Sequence, residues 1–201
     1  GTAPDFIVVD GSEGGTGAAP IDFEDHMGMP LTHGLMTVHN ALVGTGLRDQ
    51  IKIGASGKVA GGSDIVMRMI QGADYTNSAR AMMMAVGCIQ AQRCHTGECP
   101  AGVATQDPRR NRAVVVKDKA QAVYNYHHTT VNTAVRLMAS MGVTDPADLT
   151  PEMLRRNISP TDSRSYANIY EWLRPGQLLE DPPSSWAPDW KAASPDTFRP
   201  V

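Results

Sequence analysis

Four consecutive apolar residues, Phe6 to Val9, stand between Asp5 and Asp10 and are followed by a glycine-rich run from Gly11 to Gly17. A short apolar run closed by turn residues predicts a buried parallel strand that runs into a loop. The spacing then changes. Leu31, Leu35, Val38 and Leu42 recur at helical intervals, and Gly44 and Gly46 stop the pattern, so a helix is expected over 31–43. The arrangement repeats with a strand over 51–55, a loop over 56–62, and a helix from Ser63, an N-cap residue type, to Gln71 before Gly72. A third strand, over 74–78, leads into the helix that carries Cys88. Three strand–loop–helix units in about ninety residues predict an α/β fold with a parallel sheet.

Beyond Pro108 the pattern predicts helices alone, over 117–141, 146–156 and 166–173. The last twenty-one residues, from Asp181, are proline-rich and weakly periodic, which predicts an extended tail, with Trp186 and Trp190 available to pin it to a surface. The chain therefore divides into an α/β part (1–107), a helical extension (108–180) and a tail (181–201).

Charge and composition narrow the function. The net charge of −3 and the lack of a basic block or of aromatic–basic interleaving argue against nucleic acid as the main partner and favour a small-molecule site. No apolar run approaches the ~18 to 20 residues that cross a bilayer. Three cysteines cannot complete a disulfide framework, so reduced thiols in a cytoplasmic setting are expected.

All three lie within twelve residues, at Cys88, Cys94 and Cys99. At ~100° per residue an unbroken helix would point Cys88 and Cys94 to different sides; the helix must break between them. Gly97, Pro100 and Gly102 supply a segment that folds back towards the helix end. Three readings stay open. In the first the thiols are unrelated. With His95 they suit tetrahedral zinc, although the short C-x2-C knuckle is missing. Or they hold an iron–sulfur cluster, where three thiolates in place of four suggest a cube short of one iron.

Beside those cysteines stand Gly14–Ala18, Gly72-Ala73, Gly87, His95, Pro100 and the run Gly-Val-Ala-Thr-Gln-Asp-Pro over 102–108. Together they resemble the FMN-binding synthase domain of glutamate synthase, in particular the shorter FMN-binding glutamate synthase-like proteins without a glutaminase domain. The resemblance runs from about Asp5 to Pro108. It implies a (β/α)8 TIM barrel, of which this chain looks like the last three βα units with a helical C-terminal extension. It also implies FMN, a [3Fe-4S] cluster on Cys88, Cys94 and Cys99, 2-oxoglutarate or a related oxo acid as substrate, and ammonia or glutamine-derived ammonia as nitrogen source. The implied partners are an electron-donor protein or subunit, and the other half of the barrel or a second chain. A non-catalytic interaction module stabilised by zinc or a cluster is the alternative.

Such barrels place phosphate between the loops after the last two strands. Here these are Ser56-Gly57-Lys58 and Asn77-Ser78-Ala79-Arg80. Gly57 admits backbone N–H groups to a phosphate, the two cations attract it, and the helix starting near Ala79 adds its dipole. Glutamate synthases usually have Gly-Gly and Gly-Thr where this chain has Gly57-Lys58 and Ala79-Arg80. Gly14 and Gly15 are candidates to pass a flat ring, and Asp10 and Glu13 are the carboxylates nearby. A pyridine-nucleotide site is not expected: neither a Walker A nor a G-x-G-x-x-G pattern is present. His26, His33 and His39 are expected to be ordinary surface or core residues, and Met82–Met84 to fill the core.

Overall fold

The computed structural model describes residues 3–13, 19–24, 26–197 and 199. Three parallel strands, β1 (Phe6–Asp10), β2 (Lys52–Ser56) and β3 (Tyr75–Asn77), form one sheet in sequential order. The register pairs Val8 with Gly54 and Gly54 with Tyr75, and brings Asp10, Ser56 and Asn77 into one row. Ile7, Val9, Ile53 and Ala55 therefore share one face, and Phe6, Val8, Gly54 and Tyr75 share the other, as the two-residue strand period requires.

The first face is covered. A short helix, α1 (Ile21–Glu24), precedes α2 (Leu31–Gly44), whose Leu31, Leu35 and Leu42 pack on Ile51, Ile53, Ala55 and Ala73, with Ile7 and Val9 at the margin. Pro30 precedes α2 and Gly46, at φ 72°, follows its end. The opposite face is open among the described residues: Phe6 is 58% and Val8 41% exposed, and Phe6 meets Tyr75 edge-on at 6.5 Å over Gly54. Within the described residues β1 and β3 each pair with β2 alone. The strands are thus buried on one face rather than two.

α3 (Gly62–Ile70) is capped at Gly61, two residues before the Ser63 cap expected, and the Asp64 carboxylate accepts from the backbone N–H of Ala60 and Gly61 at 3.0 and 2.9 Å. Next come α4 (Arg80–Val86), the one-turn α5 (Pro108–Asn111) and the long α6 (Val116–Ser140), which matches the expected 117–141. Val66 and Ile70 of α3 pack with Ala134 of α6 in a second core. This contact requires Gly62, whose missing Cβ would lie 2.5 Å from the Ala134 backbone nitrogen. Met82–Met84 do not fill a core: no residue of α4 is buried, and Met84 is 45% exposed.

The region after α6 departs from the helical expectation. In place of a helix over 146–156, two 3-10 turns led by Pro146 and Pro151 precede an antiparallel hairpin of β4 (Arg155–Ser159) and β5 (Asp162–Ser165). Its turn is built on Ser159, whose hydroxyl accepts from the N–H of Thr161 and Asp162. The helix expected over 166–173 stops early, as α7 (Tyr166–Ile169). The buried Asn40 holds the following segment extended by accepting from Leu173 N–H at 2.9 Å and donating to the Glu171 carbonyl at 3.0 Å. Past α8 (Gln177–Glu180), the tail is not wholly extended: α9 (Ala187–Ala192) contains Trp190. No described helix is long and apolar enough to cross a membrane.

Candidate functional site

The row Asp10, Ser56, Asn77 marks the C-terminal ends of the three strands, where open α/β sheets and barrels present their loops. After β2 the backbone turns sharply, with Gly57 at φ 147° and Lys58 at φ 50°; only glycine takes the first conformation without strain. After β3 the chain enters α4 through Ala79. A cleft of about 240 Å³ opens between these loops, lined by Ser56, Gly57, Lys58, Asn77, Ala79 and Arg80, with Met84 among its apolar walls. All five candidates from the loops after β2 and β3 thus meet in one place. Asn77, the first residue of the second loop, joins them in register beside Ser56. Gly14 and Gly15 lie outside the described residues.

The cleft is braced from several elements. Ser78 Oγ donates to the Val59 carbonyl at 2.8 Å, joining the loops after β2 and β3. Tyr126 of α6 donates its hydroxyl proton to the Ala60 carbonyl, so the helical extension supports the loop that carries Lys58. Arg80 Nη2 donates to the Glu13 carbonyl and ties the loop after β3 to the one after β1. Two cationic side chains, a hydroxyl and an amide lining one small cleft fit a phosphate dianion. Glu13 is not placed as an acid or base: its carboxylate accepts from the N–H of Leu31 at 2.8 Å.

Gly87, at φ 112°, ends α4 immediately before Cys88, so the helix stops ahead of all three cysteines instead of carrying Cys88 and breaking between Cys88 and Cys94 as expected. Cys88 N–H returns to the Met83 carbonyl at 2.9 Å. Gln90 and Gln92 then adopt φ 57° and 54°, uncommon for residues with a side chain, and Cys94 begins a 3-10 turn. The cysteines form no disulfide. Cys99 is 7% exposed. Burial pushes its thiol up, but hydrogen bonds from the N–H groups of Ala104, Ala101, Val103 and Gly102 outweigh this and hold it below the ordinary value. That is an environment suited to a thiolate. The donor chemistry fits an iron–sulfur ligand set, but the arrangement does not assemble one: among the described residues no three His, Cys, Asp or Glu side chains stand together as a metal site.

At the other end of the strands lies a larger cavity of about 620 Å³, bounded by His39, Arg48, Asp74, Leu149 and Trp172. Its polar groups hold the sheet together. Asp74 accepts from Arg48 at 2.8 Å and from the N–H of Ile53 at 2.7 Å, and Arg48 also donates to the Ile51 and Gly72 carbonyls and to His39 Nδ1. Burial and then the Arg48 charge lower the His39 pKa from 6.5 to about 4, against the Gly72 carbonyl and Asp74, which raise it. His39 is therefore a half-buried structural residue, and His26 and His33 are exposed.

Residues 1–144 match the family described as a conserved region in glutamate synthase. The chain is 44% identical over 152 residues to the glutamate synthase large subunit-like protein YerD of Bacillus subtilis (strain 168), which covers 76% of this chain and 29% of that protein. It is 37% identical over 146 residues to the ferredoxin-dependent glutamate synthase of Pyropia yezoensis, covering 73% and 9%. It overlaps a solved mutant flavocytochrome b2 with pyruvate bound at a TM-score of 0.44 and 18% identity, over 84% of this chain and 40% of the other. The chain spans less than a third of the length of these two curated relatives.

Proposed function

The chain belongs to the glutamate synthase family, and from that membership we propose that it supplies the phosphate end of an FMN site and a three-cysteine iron–sulfur loop to an enzyme that reductively aminates 2-oxoglutarate to glutamate. The observation that carries the reading is the meeting of Ser56, Gly57, Lys58, Ala79 and Arg80 in one cleft at the C-terminal ends of the strands. Lys58 and Arg80 neutralise the phosphate, Gly57 lets backbone approach it, and Ser56 and Asn77 orient it by hydrogen bonding. The glycine-rich segment that includes Gly14 and Gly15 passes the ring. When bound, FMN supplies hydride transfer to the imine that the oxo acid forms with ammonia. The protein holds the reactants in register and excludes water.

Cys88, Cys94 and Cys99 are proposed as the ligands of a [3Fe-4S] cluster. Binding draws the three thiols together, with the N–H groups around Cys99 stabilising its thiolate. Electrons come from a donor protein or subunit, in a cytoplasmic setting that keeps the thiols reduced. The open face of Phe6, Val8 and Tyr75 and the edges of β1 and β3 are covered by the remaining βα units of a (β/α)8 barrel, from the same protein or a second chain. An uncovered sheet face and unpaired edges are otherwise a liability in water.

Anaerobically purified intact protein tests this reading. It should contain flavin and about three irons per chain with acid-labile sulfide, and should form glutamate from 2-oxoglutarate, ammonia and a chemical reductant. Stoichiometric zinc without sulfide, and no glutamate, would replace it with the interaction-module alternative.

A further inference from the structure

We propose that Glu13 is a positioning residue that sets the shape of the cleft by tying the glycine-rich loop after β1 to the start of α2 and to Arg80. The inference rests on the phosphate reading of the cleft and names the residue that holds its cationic wall in place.

α2 has fourteen residues and begins after Pro30, which has no N–H and gives its first turn no side-chain cap. The orphan N–H groups of such a helix need acceptors from elsewhere. Glu13, eighteen residues earlier, supplies one: its Oε2 accepts from Leu31 N–H at 2.8 Å. The approach depends on Gly11, where a Cβ would lie 2.6 Å from that oxygen and 2.4 Å from Leu31 Cβ. Ser12 N–H, bonded to the Met29 carbonyl at 2.9 Å, fixes the same crossing through the backbone.

Charge favours the arrangement. A carboxylate at a helix N-terminus is stabilised by the helix dipole. Arg68 of α3, 8% exposed, donates to Thr32, the second residue of α2, at 2.9 Å. Its burial disfavours the guanidinium charge, and Glu13 is the foremost group that offsets this.

The backbone of Glu13 has a second task, since its carbonyl accepts from Arg80 Nη2. Arg80 also lines the cleft. The side chain of Glu13 therefore fixes the place of a carbonyl that in turn directs a cationic wall residue. Without the carboxylate, the carbonyl loses one of its two anchors, and Arg80 is held less tightly in its orientation towards the phosphate. The defect should fall on the phosphate end of a ligand and spare its ring.

The test compares Glu13→Ala and Glu13→Gln in the intact protein, by amide hydrogen exchange over residues 9–35 and 78–86 and by parallel titration with FMN and riboflavin. Glu13→Ala should accelerate exchange at Leu31 and in the β1 loop, and should reduce the preference for FMN over riboflavin by about 5-fold, the equivalent of one lost cap-type hydrogen bond. Glu13→Gln keeps an acceptor oxygen and should remain within about 2-fold of the unmodified protein, a small fraction of a cap's worth. Unchanged exchange in Glu13→Ala overturns the proposal, as does an equal loss of both ligands or a Glu13→Gln variant as impaired as Glu13→Ala. An unmodified protein with no preference for FMN over riboflavin sinks the phosphate reading instead, and the exchange data then decide the clamp alone.

Discussion

Acidification should destabilise this protein through His39, and by a predictable amount. The fold lowers that imidazole's pKa from 6.5 to about 4, chiefly by burial and then by the Arg48 charge. The neutral ring is the form that fits, with Nδ1 accepting from Arg48 Nε at 3.3 Å. On acidification the unfolded chain takes up the proton first. The stabilisation is therefore complete above about pH 6.5 and is lost as the pH falls towards about 4. At about 1.4 kcal/mol per pKa unit the full shift corresponds to about 3 kcal/mol, of which about 2 kcal/mol is gone by pH ~5. Urea unfolding at pH ~7 and pH ~5, run in parallel on the protein and on His39→Gln, isolates the effect, because every other titrating group is common to both. The unmodified protein should lose about 2 kcal/mol more than the variant between the two conditions. Equal losses would show that His39 titrates normally and that the packing drawn around it is wrong.

Two further substitutions probe the frame around the cleft. Gly62→Ala would place a Cβ 2.5 Å from the α6 backbone; it should destabilise by about 1–3 kcal/mol in thermal or urea unfolding and loosen Tyr126 from the Lys58 loop, whereas tolerance would mean α6 does not approach so closely. Asp74→Ala removes the acceptor of both Arg48 and the Ile53 N–H and should cost about 2–4 kcal/mol, with Asp74→Asn retaining part of it; a loss under about 1 kcal/mol would count the pair as a weak surface bridge.

The parts of this fold that could be read in the sequence are those whose period is set by burial. β1, β2 and α2 are marked by the apolar residues that meet in the first core; the cysteine spacing called for a helix break but placed it after Cys88, whereas Gly87 ends α4 before that residue. β4 left no such mark, because Arg155–Ser159 contains one apolar residue and all five positions are exposed; a strand with no buried face has no alternation to read. The end of α7 depends on Asn40, a tertiary contact more than 130 residues away, and the neighbouring sequence carries no trace of it. The site divides in the same way. Ser56, Gly57, Lys58, Ala79 and Arg80 were singled out from loop positions that the resemblance indicated, and the structure brings these five into one cleft. Glu13 was legible as a carboxylate near the site but not as a clamp, since its partners are a backbone N–H and an arginine donating to its own carbonyl.

The most direct test of the account is whether the cleft between the loops after β2 and β3 holds the phosphate of a flavin. FMN and riboflavin should be titrated into the deflavinated intact protein and into its Lys58→Ala and Arg80→Ala variants. Each substitution removes a charge-assisted contact of about 1.5–3 kcal/mol, so FMN binding should weaken by roughly 10- to 100-fold while riboflavin binding changes by less than about 2-fold. Equal weakening of both ligands, or no weakening of either, would contradict the assignment of this cleft.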